Sequence, residues 1–293
     1  MSRSILVQLL IGLIFSAAIG WLAWRRGSLA HSGVVGAVLV GTLVFGFGGW
    51  TWGLTLIAFF ISSSLLSHYR QADKQRVAEK FAKGERRDLG QTLANGGAGA
   101  LLALLVFALV DLPGHTRSGN PLYVALTLAF FGVMATVNAD TWATELGVLA
   151  RTTPRLITSG RSVLPGTSGG VTAVGTLAAL AGGLFIGVAA FAFIQAASLL
   201  TRGSLLLSDL PLIPIAAVAG LVGSLFDSLL GATVQQIYWC ETCGKETERQ
   251  VHSCGTPTRP LRGWGWMNND AVNFLSSLVG GLLAGGLGLL IFR

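Results

Sequence analysis

Long apolar runs separated by short polar clusters are the first feature of this chain. The runs fall near residues 4–24, 33–47, 50–67, 93–110, 121–142, 171–196, 210–232 and 271–292. A helix needs roughly 20 apolar residues to cross a ~30 Å hydrocarbon core. The pattern therefore predicts an all-α protein, a polytopic membrane helix bundle of about eight transmembrane segments forming one domain over 1–293. The second run is short for that thickness, which leaves it a tilted span or a re-entrant segment. The first run, Ile5 to Trp24, follows only Arg3 and lacks a small-residue cleavage site. It reads as a retained helix rather than a signal peptide.

Composition sharpens this picture. Hydrophobic residues make up 52% of the chain and charged residues only 11%, where a soluble domain carries about 25% charged residues. Forty glycines suit a membrane bundle, because small residues let helices approach closely. Trp21, Trp24, Trp50, Trp52, Trp264 and Trp266 fall near the ends of the runs, as an aromatic belt would.

The net charge of +7 turns on where the basic residues lie. With the N-terminus outside and eight spans, the inner loops are 25–32, 68–92, 151–170 and 233–270. They hold sixteen of the twenty Lys and Arg; Arg3, Arg117, Arg202 and Arg293 lie outside. That bias fits the positive-inside rule. It assigns the basic charge to the cytoplasmic face and anionic membrane lipids rather than to nucleic acid. The segment "HYRQADKQRVAEKFAKGERRDLG" then reads as a solvated amphipathic helix on that lipid surface, with Arg86 or Arg87 also placed to grip a phosphate.

The same topology gathers the unusual polar patches on one side: "HSG" at 31–33, "QTLANGG" at 91–97, "NADTWATELG" at 138–147, "LPGTSGG" at 164–170, "FDSLLGA" at 226–232 and "WMNNDAVN" at 266–273. Such asymmetry predicts one polar site at the cytoplasmic end of the bundle. Asp140 and Glu145 are five residues apart, about 140° around a helix, so they flank a cavity or the helix breaks between them. Asp227 lies on a stripe with Gly223 and Gly231, and Asp270 and Asn273 open the last helix on one face. Each acid alone reads as a helix-end solvating group; several converging on one face read as a magnesium site of hard oxygen ligands.

Two glycine-rich stretches add phosphate chemistry. "GTSGG" (Gly166, Thr167, Ser168, Gly169, Gly170) precedes a helix expected near Val171, and backbone N–H groups there suit phosphate. No Lys follows it, so it is not a Walker A motif. Arg151, Arg155 and Arg161 upstream favour the phosphate reading over a plain turn. "LANGG", with Asn95, is either a helix-start nest or a site of tight helix packing. In the 233–270 loop, Cys240, Cys243, His252 and Cys254 form a Cys3His set suited to tetrahedral zinc, the alternative being unliganded thiols. Four protein ligands leave no open position, so such a zinc is structural.

"SSSLLSHYR", "RRDLGQTLANGG", "NADTWATELG", "PRLITSGRSVLPGTSGG", "FDSLLGATVQ" and "NNDAVNFLSS" together resemble an integral-membrane family long described as a domain of unknown function. It includes eukaryotic transmembrane protein 19 and the chloroplast phytyl-phosphate kinase of tocopherol synthesis. The resemblance runs from about 28 to 285 and implies phosphoryl transfer from a nucleoside triphosphate, CTP or ATP, to an isoprenyl or phytyl monophosphate. Carried over by motif, Asp140, Glu145, Asp227, Asn95, the 166–170 loop, Asn269 and Asp270 form the polar core. The Cys/His insert is absent from many members.

That chemistry suits these residue types. Phosphoryl transfer is mostly positioning and charge stabilisation, and two anions must be brought together. A phosphate acceptor, with a second pKa of about 6, is already deprotonated and needs no general base. Asp140, Asp227 and Asp270 are accordingly expected as magnesium ligands, with the lipid tail between helices. Three rivals stay open: a prenol kinase, a cytidylyltransferase acting on a lipid phosphate, and a lipid-phosphate transporter or flippase. Homo-oligomerisation is left open too.

Overall fold

The computed structural model describes residues 3–70 and 86–292. Most of the expected amphipathic helix, residues 71–85, lies outside the described residues. Among the described residues, eight α-helices follow in order: α1 (Arg3–Arg25), α2 (His31–Leu43), α3 (Trp50–His68), α4 (Leu89–Val106), α5 (Pro121–Gly147), α6 (Ala173–Arg202), α7 (Leu212–Thr233) and α8 (Asn269–Ile291). All are long and apolar enough to cross a membrane. The short second run is one of them: a π turn, Val44–Gly48, extends α2 to 18 residues, about 27 Å at 1.5 Å per residue. It has the length of a span rather than of a re-entrant segment.

Local chemistry starts these helices where it should. Asp88 and Gln91 form a reciprocal capping box at the head of α4, satisfying two otherwise orphaned backbone donors. Asn120 accepts from Leu122 N (2.9 Å) and Tyr123 N (3.3 Å) ahead of Pro121, the first residue of α5.

Helix α5 is the hub, packing on α3, α4, α6, α7 and α8, with an unbroken buried run from Phe130 to Ala139. Its approach to α7 and α8 depends on small residues. Thr136 fills space left by Gly223 and Gly280, where an added Cβ at either would collide with its side chain. Its hydroxyl donates to Ala219 O at 3.2 Å. The α1–α2 pair joins the bundle through contacts between α2 and α4. Trp52 departs from the expected aromatic belt: it is fully buried and stacks on Phe130 at 4.1 Å. Trp21, Trp50, Trp264 and Trp266 are exposed, as a belt requires.

Two small sheets sit beyond the helix ends. Strands β1 (Arg155–Leu156) and β2 (Gly170–Val171) pair antiparallel. In the α7–α8 connection, β3 (Ile237–Cys240) lies between β4 (Lys245–Thr247) and β5 (Arg259–Arg262), both antiparallel to it. Both sheets sit at the end of the bundle that carries Arg87, the basic end.

Candidate active site

At the basic end, α5 sends polar side chains in several directions. It does not break between Asp140 and Glu145, so their angular separation puts them on different flanks. Buried Asn138 braces the helix: its Oδ1 accepts from Ser62 Oγ (2.8 Å) on α3, and its Nδ2 donates to Gly182 O (2.8 Å) on α6.

On one flank are two carboxylates. Ser224 Oγ of α7 donates to Asp140 Oδ1 at 3.3 Å, and Ser276 Oγ of α8 donates to Asp227 Oδ2 at 3.0 Å. Asp227 lies within electrostatic range of both Asp140 and Glu248. Glu248, just after β4, accepts from Ser168 Oγ (3.2 Å) and from buried Gln235 Nε2 (2.8 Å) through its Oε1. The 166–170 loop is thus drawn to the acids through the insert. Gly169 has φ +83°, and a Cβ there would fall 2.5 Å from Ala232. Only glycine combines that left-handed backbone with so close a seat on the end of α7.

The other flank carries a cation. Ser67 Oγ donates to Glu145 Oε1 at 2.8 Å, and Arg87 lies within the electrostatic reach of Glu145. The Arg87 guanidinium sits 5.7 Å from the centre of the Phe59 ring and 5.9 Å from that of Phe60. Burial pulls it down from its ordinary pKa, and the charge of Glu145 opposes that shift. Its backbone is held at both groups: Arg87 N donates to Ser28 O (3.1 Å), and Arg87 O accepts from Ala30 N (3.0 Å). Gly33 of the "HSG" patch leaves room for that carbonyl. Arg87, Thr92 and Asn95 line the polar end of a slot of about 80 Å³ between α1, α2, α3 and α4, otherwise mainly apolar.

Several expectations change. Asp270 does not join the aspartate pair. From the first turn of α8 it lines a groove of about 460 Å³ against α2 and α4, beside Gly97 and Phe274. Among the described residues, the only group of three or more His, Cys, Asp or Glu side chains within common metal reach is Cys240, Cys243, His252 and Cys254. The glycine loop precedes a helix as expected, but α6 begins at Ala173, and Thr172, rather than the loop, meets its first turn: Thr172 Oγ1 already accepts from Gly175 N at 3.0 Å. "LANGG" lies inside α4, where Gly96 admits Val40, so tight packing wins over a helix-start nest. Arg161 is exposed in the β1–β2 connection. Asn269 is half-buried in the first turn of α8, while its neighbour Asn268 supplies the cap, accepting from Ala271 N at 2.9 Å.

Comparison with known proteins decides the family. Residues 14–281 match the integral membrane protein family DUF92. This chain belongs to that family. Protein PGR of Arabidopsis thaliana is 36% identical over 275 residues, 93% of each chain. An uncharacterized membrane protein of Methanocaldococcus jannaschii is 27% identical, covering 95% of this chain and 93% of its own. Protein VTE6, chloroplastic, of Arabidopsis thaliana is 27% identical over 87% of this chain and 64% of its own length. No solved structure matches. As a DUF92 member the chain is an integral membrane protein.

Sequence reasoning missed Glu248 as well as the supporting serines. Ser224 had a usable signal, lying one helical turn before Asp227; Glu248 had none, because its insert carries no membrane periodicity.

Proposed function

We propose that this protein transfers a phosphoryl group from a nucleoside triphosphate to an isoprenyl-type lipid monophosphate at the cytoplasmic membrane face, giving the diphosphate. One observation carries the reading. Across α5, paired carboxylates occupy one flank and Arg87, lining a mainly apolar slot, occupies the other. Phosphoryl transfer between two anions needs just such a division.

The aspartates fit magnesium. Each accepts one serine hydroxyl through one oxygen, so Asp140 Oδ2 and Asp227 Oδ1 remain available. Magnesium keeps several waters and needs only one or two carboxylates beside substrate phosphates. Asp140 and Asp227 would hold it, and bound there it would neutralise charge on the transferring phosphate. Ser224 and Ser276 fix the carboxylate rotamers. Asn138 fixes the helix that delivers Asp140.

Arg87 suits the acceptor. Its planar guanidinium presents several N–H donors to a phosphate, and Thr92 and Asn95 lie beside it. The slot has room for the head of a prenyl chain, the remainder lying in the bilayer. The larger groove fits less well, because the Asp270 carboxylate at its polar end repels a phosphate. The resemblance to the chloroplast phytyl-phosphate kinase points the same way.

The test is direct. Protein purified in detergent, given magnesium, CTP or ATP and a prenyl monophosphate, should form the prenyl diphosphate, with the free prenol reacting far less. Preference for the prenol would make this a prenol kinase; CMP transfer, a cytidylyltransferase. Lipid-phosphate movement across reconstituted vesicles without chemistry would replace the enzyme reading by transport.

A further inference from the structure

The insert between α7 and α8 is too small to fold on its own apolar contacts. Its three strands bury only Ile237, Cys240 and Thr247, with His252 buried beside them. Sheets of this size need a staple such as a metal. The four candidate ligand atoms of Cys240, Cys243, His252 and Cys254 all lie within 4.8 Å of one another. Cys240 Sγ and Cys254 Sγ are 3.7 Å apart, and His252 Nδ1 is 3.3 Å from Cys254 Sγ. Zinc–sulfur bonds of ~2.3 Å at tetrahedral angles place two sulfurs ~3.8 Å apart. All three cysteines are free thiols, so disulfides do not hold this geometry.

The same sheet is tied to the membrane end of the bundle. Arg262 Nη1 donates to Gly231 O at 2.9 Å, and Gln236 Nε2 to Arg262 O at 3.1 Å. Glu248 lies between Cys243 and His252 in the chain. From there it accepts from Ser168 and Gln235 and faces Asp227. Whatever orders the insert therefore orders a third carboxylate beside the aspartate pair, together with the glycine loop.

We propose that Cys240, Cys243, His252 and Cys254 bind one structural zinc ion, and that this zinc controls divalent-cation binding at Asp140 and Asp227 by positioning Glu248. The second half rests on reading the aspartate pair as a cation site; the first half does not. Glu248 is a positioning residue, acting through the Ser168 loop and through its charge.

The full chain in detergent should carry one zinc by elemental analysis, lost in Cys240→Ser and Cys254→Ser. Cobalt exchanged into the site should show thiolate-to-metal charge-transfer absorption. Metal-free protein prepared without chelators, or cobalt without that absorption, would overturn the zinc site. Manganese binding, read by electron paramagnetic resonance, tests the coupling. Glu248→Gln should keep its zinc and its thermal midpoint yet bind manganese ~10-fold more weakly, a loss of about 1.4 kcal/mol. Unchanged manganese affinity in both Glu248→Gln and zinc-free protein would overturn the coupling. If Asp140→Asn and Asp227→Asn bind manganese as the wild type does, the aspartate reading and the coupling both fail, while zinc stoichiometry still decides the first half.

Discussion

Asp140 on α5 and Asp227 on α7 sit within electrostatic range of each other at the basic end of the bundle, each held by a serine from a different helix. Ser224, on Asp227's own helix, donates to Asp140, and Ser276 of α8 donates to Asp227. This chain of contacts runs α5–α7–α8, the same three helices that close on Thr136 about one turn deeper. The carboxylates therefore rest on helices in close contact, and binding sites on rigid elements hold their geometry best.

Asp140→Asn and Asp227→Asn keep side-chain size and remove the charge that would hold the metal. Each should lose ~10³-fold in turnover, about 4 kcal/mol of barrier, with the thermal midpoint in detergent little changed. Leu102→Met, in an apolar contact of α4, should match the wild type. Wild-type turnover in both asparagine variants would remove the magnesium site from the mechanism.

Arg87 should act on the lipid alone. Arg87→Gln removes a charge-assisted contact of ~1.5–3 kcal/mol, so KM for the prenyl phosphate should rise ~10–100-fold. KM for the nucleotide should hold, because Arg87 lies on the opposite flank of α5 from the aspartates. Arg87→Lys should recover part of the loss through charge, without the planar donor fork. Steady-state kinetics with each substrate varied in turn separates the two effects.

Hydropathy over long windows is a strong signal, so the eight helices were legible before any coordinates. Asp140 and Asp227 were legible for a related reason: an acid inside an apolar run must be repaid. Which neighbour each acid meets was not. The 140° between Asp140 and Glu145 fixes their divergence but not the helix each one faces. Asp270 misled for the same reason, since its place in the first turn of α8 says nothing about whether α4 or α7 lies opposite. Glu248 was invisible because it reaches the site through a fold-back of the insert. The glycine loop precedes a helix, but β2, which begins at its Gly170, and the Thr172 cap separate Thr167 and Ser168 from the first turn of α6.

The packing at Thr136 makes a separable stability prediction. Gly280→Ala puts a methyl group onto the Thr136 side chain, and overpacking costs ~1–3 kcal/mol. Thr136→Ala alone removes the bond to Ala219 O and some contact, so it too destabilises. The double variant should be more stable than the sum of the two losses, with an interaction of at least ~0.5 kcal/mol for residues in contact. Thermal midpoints of the four proteins in one detergent measure this. Strict additivity would show that the two positions do not touch.

Orientation is the remaining requirement, because a nucleoside triphosphate is met on the cytoplasmic side. The native thiols Cys240, Cys243 and Cys254 lie at the basic end, as do Asp140 and Asp227. Ser118 lies in the α4–α5 connection at the other end and is exposed, close to the Arg117–Asp111 pair without belonging to it. In intact cells, a membrane-impermeant maleimide should label Ser118→Cys and leave the wild type unlabelled. In inverted vesicles, with zinc chelated, the wild-type thiols should react, while Ser118→Cys should gain no further label. The sixteen-to-four distribution of basic residues requires this result under the positive-inside rule. Labelling of the native thiols from outside would invert the bundle and place the aspartate pair away from its nucleotide, which the kinase reading does not survive.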